Sequence, residues 1–179
     1  QMQAMVENLL ALARAEAGQV RIDRGPVDVP ELLADCWKAV AERAQARGLD
    51  VQWRLDRPCI LQTDAEKLRQ VIYSLFDNAV TYADAHGRVW IDVASGDGTV
   101  TVRVGNTGSR LTAEQVPHVF ERFWRGDAAR RDVGLRCGLG LALAQKMVAL
   151  LGGRISAEST DGGEFVVTLN FDGTAGGAR

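Results

Sequence analysis

Three short stretches carry residue types that could do chemistry. In "RCGLGLALAQKMV", residues 136–148, Cys137, Gly138 and Gly140 open a run whose Leu139, Leu143 and Met147 then recur at helical spacing. Glycine at a helix start is costly in backbone entropy, and a chain accepts that where something must approach the backbone closely. A helix amino terminus with bare N–H groups suits an anion such as phosphate; a plain turn before a packing helix would look the same. On residues 65–82, Ser74, Asn78 and Tyr82 recur at i, i+4 and i+8 along one flank of an apolar stripe. The amide oxygen of Asn78 suits Mg²⁺, which takes few protein ligands when phosphates and waters supply the rest; a solvated amide on a helix edge is the alternative. In "VRVGNTGSRL", residues 102–111, Asn106 ends an alternating run and Gly108 lets the backbone turn beneath a flat ligand. A purine needs such an edge partner and an apolar slot, although Asn and Gly also make simple turns.

These residues need elements to hold them. The periodicity predicts a helix over 2–17, with Met2, Met5, Val6, Leu9, Leu10 and Ala13 as one apolar stripe that must pack on a bundle or a dimer partner. Gly18 can end it, and a linker spans 19–26. A second helix runs from Pro30 to about Arg47, and "LDVQWRL" and "CILQTD" read as strands. Thr63 with Glu66 forms an expected capping box. Leu68, Val71, Ile72, Leu75, Phe76, Ala79 and Val80 then hold the i, i+3, i+4 rule throughout. "RVWIDVASGDGTVTVRVGN" is a hairpin around Gly-Asp-Gly, and "LTAEQVPHVFERFW" reads as a short capped helix with an aromatic anchor. The polar, basic segment 126–137 is expected to be mobile when empty and ordered by a polyphosphate. A helix over 138–151 and the strand pair "GGRISAES" and "GGEFVVTLNF" close the pattern, ahead of a Gly/Ala-rich tail, 173–179, expected to be disordered. Mixed helices and hairpins predict an α+β two-layer α/β sandwich rather than a parallel βαβ sheet.

Composition removes several classes. At 179 residues the chain can bury one core and carry an appendage, and 46% hydrophobic with 25% charged residues is ordinary for a globular domain. A net charge of −2 gives no footprint for bulk nucleic-acid binding. No apolar run reaches the ~20 residues of a membrane span. Because the pattern opens inside a helix, the chain reads as a fragment from which a membrane part could be missing. Cys36, Cys59 and Cys137 form no CxxC pair and, with two histidines, no zinc set; free thiols are expected.

The stretches taken together and in order resemble the C-terminal part of a sensor histidine kinase with a Bergerat-type ATP-binding fold. "DAEKLRQVIYSLFDNAVTYA" resembles the N box, "VRVGNTGSRL" the G1 box and "VFERFWRGD" the F box. "RCGLGLALAQKMVALLGGRISAES" is similar to the G2 box with its adjoining helix and strand, and "GGEFVVTL" to a G3 segment. "MVENLLALARAEAG" resembles the end of the second dimerisation and phosphotransfer helix, so that residues 1–18 belong to that helix, and "PVDVPELL" the entry to an ATP-binding domain over 27–172. The G1 box with Asn106 in place of aspartate is similar to heavy-metal sensor kinases.

The resemblance implies ATP and Mg²⁺ as cofactors. Asn78 would coordinate the metal, Tyr82 would border the nucleotide, and Gly108 would sit under the base. Asn106 would meet the adenine edge, with an amide able to accept from adenine or donate to guanine. Phe120 and Phe123 would anchor the lid, Arg130 would meet phosphate, and Gly138, Leu139 and Gly140 would bring backbone N–H groups to the phosphates. The γ-phosphate would pass to a histidine on a dimerisation helix outside this chain, His86 and His118 being ordinary surface residues. The implied partners are a response regulator receiver domain and a second copy joined through the dimerisation helices, with no nucleic acid. The implied location is the cytoplasmic side of an inner-membrane sensor. Ser74, Thr81, Asn106, Arg110 and Arg136 depart from the usual boxes, so a non-catalytic interaction domain of the same fold stays open. A gyrase- or chaperone-type ATPase fits less well, because Ser74 stands where those enzymes carry a water-activating glutamate.

Overall fold

A computed structural model of the chain describes residues 2–126, 138–160 and 162–172. The 3.6-period runs fold as helices α1 (Met2–Glu16), α2 (Val29–Ala46), α3 (Ala65–Tyr82) and α4 (Gly140–Leu150). The alternating runs fold as strands β1 (Gly25–Asp28), β2 (Asp50–Leu55), β3 (Ile60–Thr63), β4 (Arg88–Gly96), β5 (Thr99–Thr107), β6 (Gly153–Ser159) and β7 (Glu164–Asp172). Five strands form one sheet in the order β2-β4-β5-β7-β6, in which only the β2–β4 pair is parallel. Asp97 and Gly98, both left-handed at φ 51° and 75°, turn β4 into β5 as a two-residue hairpin.

The core lies between one sheet face and the helices. Val89, Ile91 and Val93 of β4, Val100, Val102 and Val104 of β5, and Phe165, Val167, Leu169 and Phe171 of β7 alternate into it. All seven apolar residues expected along α3 are buried. Phe76 of α3 meets the rings of Trp37 and Trp53 edge-on, with centroids 5.2 and 6.2 Å away. This is the expected α+β two-layer sandwich.

Several local expectations need correction. The residue capping α3 is Asp64, whose carboxylate accepts from Lys67 N–H, not Thr63 paired with Glu66. Thr63 is taken up by β3, which pairs with β1, and its hydroxyl is buried without a hydrogen bond. The pairing also draws Gly25 and Pro26 out of the expected linker into β1. "LTAEQVPHVFERFW" forms only a 3₁₀ turn, Val116–Phe120, whose start has no side-chain cap. Leu12 and Ala15 of α1, outside the stripe expected to meet a bundle or dimer partner, are buried, and α1 packs against α4 within the chain. Val6 and Leu10 are left half exposed, beside an apolar groove shared with Arg122, and Arg122 also pairs with Glu16.

Candidate functional site

The sequence-predicted residues come from four elements that meet at one end of the helix layer. Asn78 and Ser74 lie half-buried on the flank of α3, and Tyr82 ends that helix 40% exposed. Asn78 makes no side-chain hydrogen bond among the described residues. Its helix is held from the side by α2: Arg43 Nη2 donates to Asp77 Oδ1 at 2.7 Å, and Arg47 Nη2 donates to the Ala83 carbonyl. Both contacts flank Asn78 and Tyr82, and neither arginine stands out in the sequence. Their spacing of four residues, across the last turn of α2 and its C-cap, is the one signal that could have found them.

Asn106 lies next to last in β5, on the face that buries Val100, Val102 and Val104, and is 2% exposed. Its Nδ2 donates to the Thr107 carbonyl at 2.9 Å. This contact orients the amide: rotation would bring Oδ1 against the carbonyl oxygen, so Oδ1 is the atom left to accept. Immediately beyond, Thr107 O accepts from Asp84 N–H at 3.3 Å, which joins the turn after α3 to the turn after β5. Gly108 makes that approach possible. Its φ is +93°, and a Cβ there would sit 2.5 Å from Asp84 N.

The start of α4 faces the same region. Leu139, its N-cap, is buried, and no side chain among the described residues caps the helix, which keeps its first N–H groups clear of side-chain acceptors there. Gly140 packs directly on α3: a Cβ there would lie 2.7 Å from Ser74 Oγ. Gly138 has φ +63°, and its carbonyl accepts from Phe123 N–H at 3.0 Å, joining the aromatic turn to the helix start. Phe123 is itself left-handed at φ 62° and 55% exposed, whereas Phe120 is half-buried and packed on the core. A solvent-facing aromatic in strained backbone is the kind of feature found at functional sites. Arg130, Arg131, Arg136 and Cys137, with the segment expected to be mobile, lie outside the described residues.

The remaining titratable groups stand apart. His118 Nδ1 is 2.7 Å from Glu121 Oε1, and His86 packs against Gly48. Cys36 and Cys59 are buried free thiols. Burial pushes Cys36 up to about 11, against the partial opposition of Arg69, so it stays a neutral thiol. No cluster of three metal-ligating side chains occurs among the described residues, and none is needed where phosphates supply most oxygens to Mg²⁺. No helix among the described residues is long and apolar enough to cross a membrane.

Known proteins share both sequence and fold with this chain. Residues 63–174 match the family described as histidine kinase-, DNA gyrase B-, and HSP90-like ATPase. The probable sensor histidine kinase TcrY of Mycobacterium tuberculosis is 37% identical over 173 residues, covering 94% of this chain and 35% of TcrY. The chain thus spans about a third of the length of such curated relatives. The crystal structure of full-length ShkA in complex with AMPPNP superposes with a TM-score of 0.85 at 26% identity, covering 99% of this chain and 37% of ShkA. Histidine kinase ThkA, in complex with the response regulator protein TrrA, has a TM-score of 0.76 at 18% identity, covering 97% of this chain and 49% of ThkA. From the uncapped start of α4 set against α3 to the match over residues 63–174, the chain belongs to the histidine kinase-, DNA gyrase B- and HSP90-like ATPase family, and its relatives are sensor histidine kinases.

Proposed function

We propose that the chain is the ATP-binding kinase module of a two-component sensor, which positions ATP·Mg²⁺ for transfer of the γ-phosphate to a histidine on a dimerisation helix. The observation that carries this reading is the start of α4, without a side-chain cap among the described residues, packed against Ser74, one helical turn from an Asn78 amide without a protein partner among the described residues. Phosphoryl transfer is mostly a matter of positioning and charge neutralisation, so it needs few reacting side chains from the protein. Gly138, Leu139 and Gly140 offer backbone N–H groups to phosphate oxygens. Asn78 offers its amide oxygen to Mg²⁺. Asn106 accepts from the exocyclic amine of adenine, over Gly108, and Tyr82, Phe120 and Phe123 border the nucleotide. Arg130, outside the described residues, is assigned to phosphate from its place in the sequence.

A response regulator receiver domain and a second copy joined by dimerisation helices are the partners of this reading, supported by the ThkA–TrrA complex and by the sensor-kinase relatives. The sensor would present the domain to the cytoplasm. The deciding experiment is calorimetric titration of the purified chain with ATP and GTP, with and without Mg²⁺. Mg²⁺-dependent binding of ATP, roughly tenfold or more stronger than GTP, is expected from the acceptor orientation of Asn106. A flat ATP titration would replace the reading with a non-catalytic interaction domain, and equal ATP and GTP affinity would remove Asn106 from the base edge.

A further inference from the structure

The segment between α1 and β1 touches both helices of the nucleotide site, at the ends remote from it. Asp23 N–H donates to Asp64 Oδ2 at 3.0 Å, while Oδ1 of the same carboxylate caps α3 by accepting from Lys67 N–H at 3.0 Å. The neighbouring Arg24 donates through Nη2 to the carbonyl of Leu151, at the end of α4, at 3.1 Å. Val20 and Ile22 pack against the core beside these contacts. Asp64 is 6% exposed, so its two acceptor oxygens are committed to these partners with little competition from water.

The helices are antiparallel, with α4 lying along the first part of α3. Asp64 lies ten residues before Ser74 and Leu151 eleven after Gly140, and Ser74 touches Gly140. At 1.5 Å per residue these arms are about 15 and 16 Å long. Asp23 and Arg24, adjacent in the chain, therefore close one end of the α3–α4 pair, and the nucleotide residues occupy the other. Helices packed at crystal-like density move as rods, so a displacement imposed at one end is felt at the other.

We propose that Asp64 and Arg24 are positioning residues for nucleotide binding: through them the linker sets how closely the start of α4 approaches α3, and so the affinity for the nucleotide. The inference rests on the ATP-binding reading. Linkage makes the coupling reciprocal, so ATP must in turn strengthen the linker contacts.

The test uses the full chain with Arg24→Ala, Asp64→Asn and, as control, Arg21→Ala. Asparagine caps a helix as well as aspartate does, but has only one acceptor oxygen to share between Lys67 and Asp23. Arg21 is an exposed linker residue with no hydrogen bond or ion pair among the described residues. Calorimetry with ATP·Mg²⁺ is paired with urea unfolding, to show that every variant is folded under the assay conditions. Hydrogen exchange at the Asp23 amide is followed with and without saturating ATP. Arg24→Ala and Asp64→Asn should each bind ATP about five- to tenfold more weakly, with Arg21→Ala unchanged. ATP should slow Asp23 exchange in the parent by a similar factor, and by less in Arg24→Ala; a merely structural contact would not respond to ATP. Folded variants that bind ATP like the parent, or Asp23 exchange indifferent to ATP, overturn the inference alone. A parent that does not bind ATP overturns the ATP-binding reading and this inference with it.

Discussion

Gly138→Ala is the substitution the geometry makes most informative. An L-residue at φ +63° costs about 1–2 kcal/mol in backbone strain. The new Cβ would stand 2.5 Å from the Trp124 carbonyl oxygen and 2.9 Å from the Phe123 carbonyl carbon. Carbon–oxygen contacts settle near ~3.3–3.6 Å, and both neighbours are backbone, so the aromatic turn and the helix start must part by most of an ångström. The 3.0 Å bond from Phe123 N–H to Gly138 O is then lost, worth about 0.5–1.5 kcal/mol net. The sum is about 2–3 kcal/mol, concentrated where the phosphates are expected. If half of it reaches the nucleotide, ATP affinity falls roughly tenfold.

Gly140→Ala is the contrast. Among the described residues its Cβ meets only Ser74 Oγ within close range, at 2.7 Å, with Ser74 Cβ next at 4.0 Å. A hydroxyl can rotate away, and alanine gains up to ~1 kcal/mol over glycine in a helix. Urea unfolding and ATP titration of both variants, with Ser74→Ala/Gly140→Ala as the relieved pair, provide the assay. Gly138→Ala should be the worse in both measurements, and the double variant should be as stable as the parent or more so. If Gly138→Ala unfolds and binds ATP like the parent, backbone crowding does not set the geometry of this turn.

Asn78→Ala should keep the helix, since alanine is the better helix former, and lose the Mg²⁺-dependent part of ATP binding in calorimetry; unchanged Mg²⁺ dependence removes the metal assignment. Arg47→Ala should destabilise the chain by about 1–2 kcal/mol in urea, because it strips a donor from the Ala83 carbonyl at the end of α3. Burial alone would raise the Asp64 carboxyl, but the N–H groups of Asp23 and Lys67 and the Lys67 charge outweigh it and hold the carboxyl below the ordinary 3.8. Its contribution is therefore present above that value and lost as pH falls through the lower folded value, so acid unfolding of Asp64→Asn should be less steep below about pH 4. Cys36, raised by burial from 9.0 to about 11, favours the fold below pH 9 and loses that contribution as pH rises toward 11; in a Cys137→Ser background, native protein at about pH 8 should resist a disulfide thiol reagent that labels Cys36 and Cys59 after unfolding.

Elements whose signals are local and repeated can be read from the residues alone. The α3 stripe was legible because seven apolar residues at one period permit only one buried face, and the same helix carries Asn78 and Tyr82 at a fixed offset from it. The β4–β5 hairpin was legible because Asp97 and Gly98 are residue types that accept left-handed backbone between alternating runs. The order of the boxes was enough to point to the family. What tertiary structure decided was everything that depends on which surfaces meet. Pairing of β3 with β1 took Thr63 into a strand and left the cap to Asp64. Docking of α1 on α4 buries Leu12 and Ala15, outside the stripe expected to meet a bundle or dimer partner, since the periodicity of one helix does not say which neighbours it meets. The amide of Asn106, free to turn in the sequence, is held by the Thr107 carbonyl. The linker, with the pattern of a spacer, is bonded to Asp64 and Leu151, 41 and 127 residues away along the chain. Periodicity reports the environment of one segment; hydrogen bonds of this range exist only once the segments have been packed together.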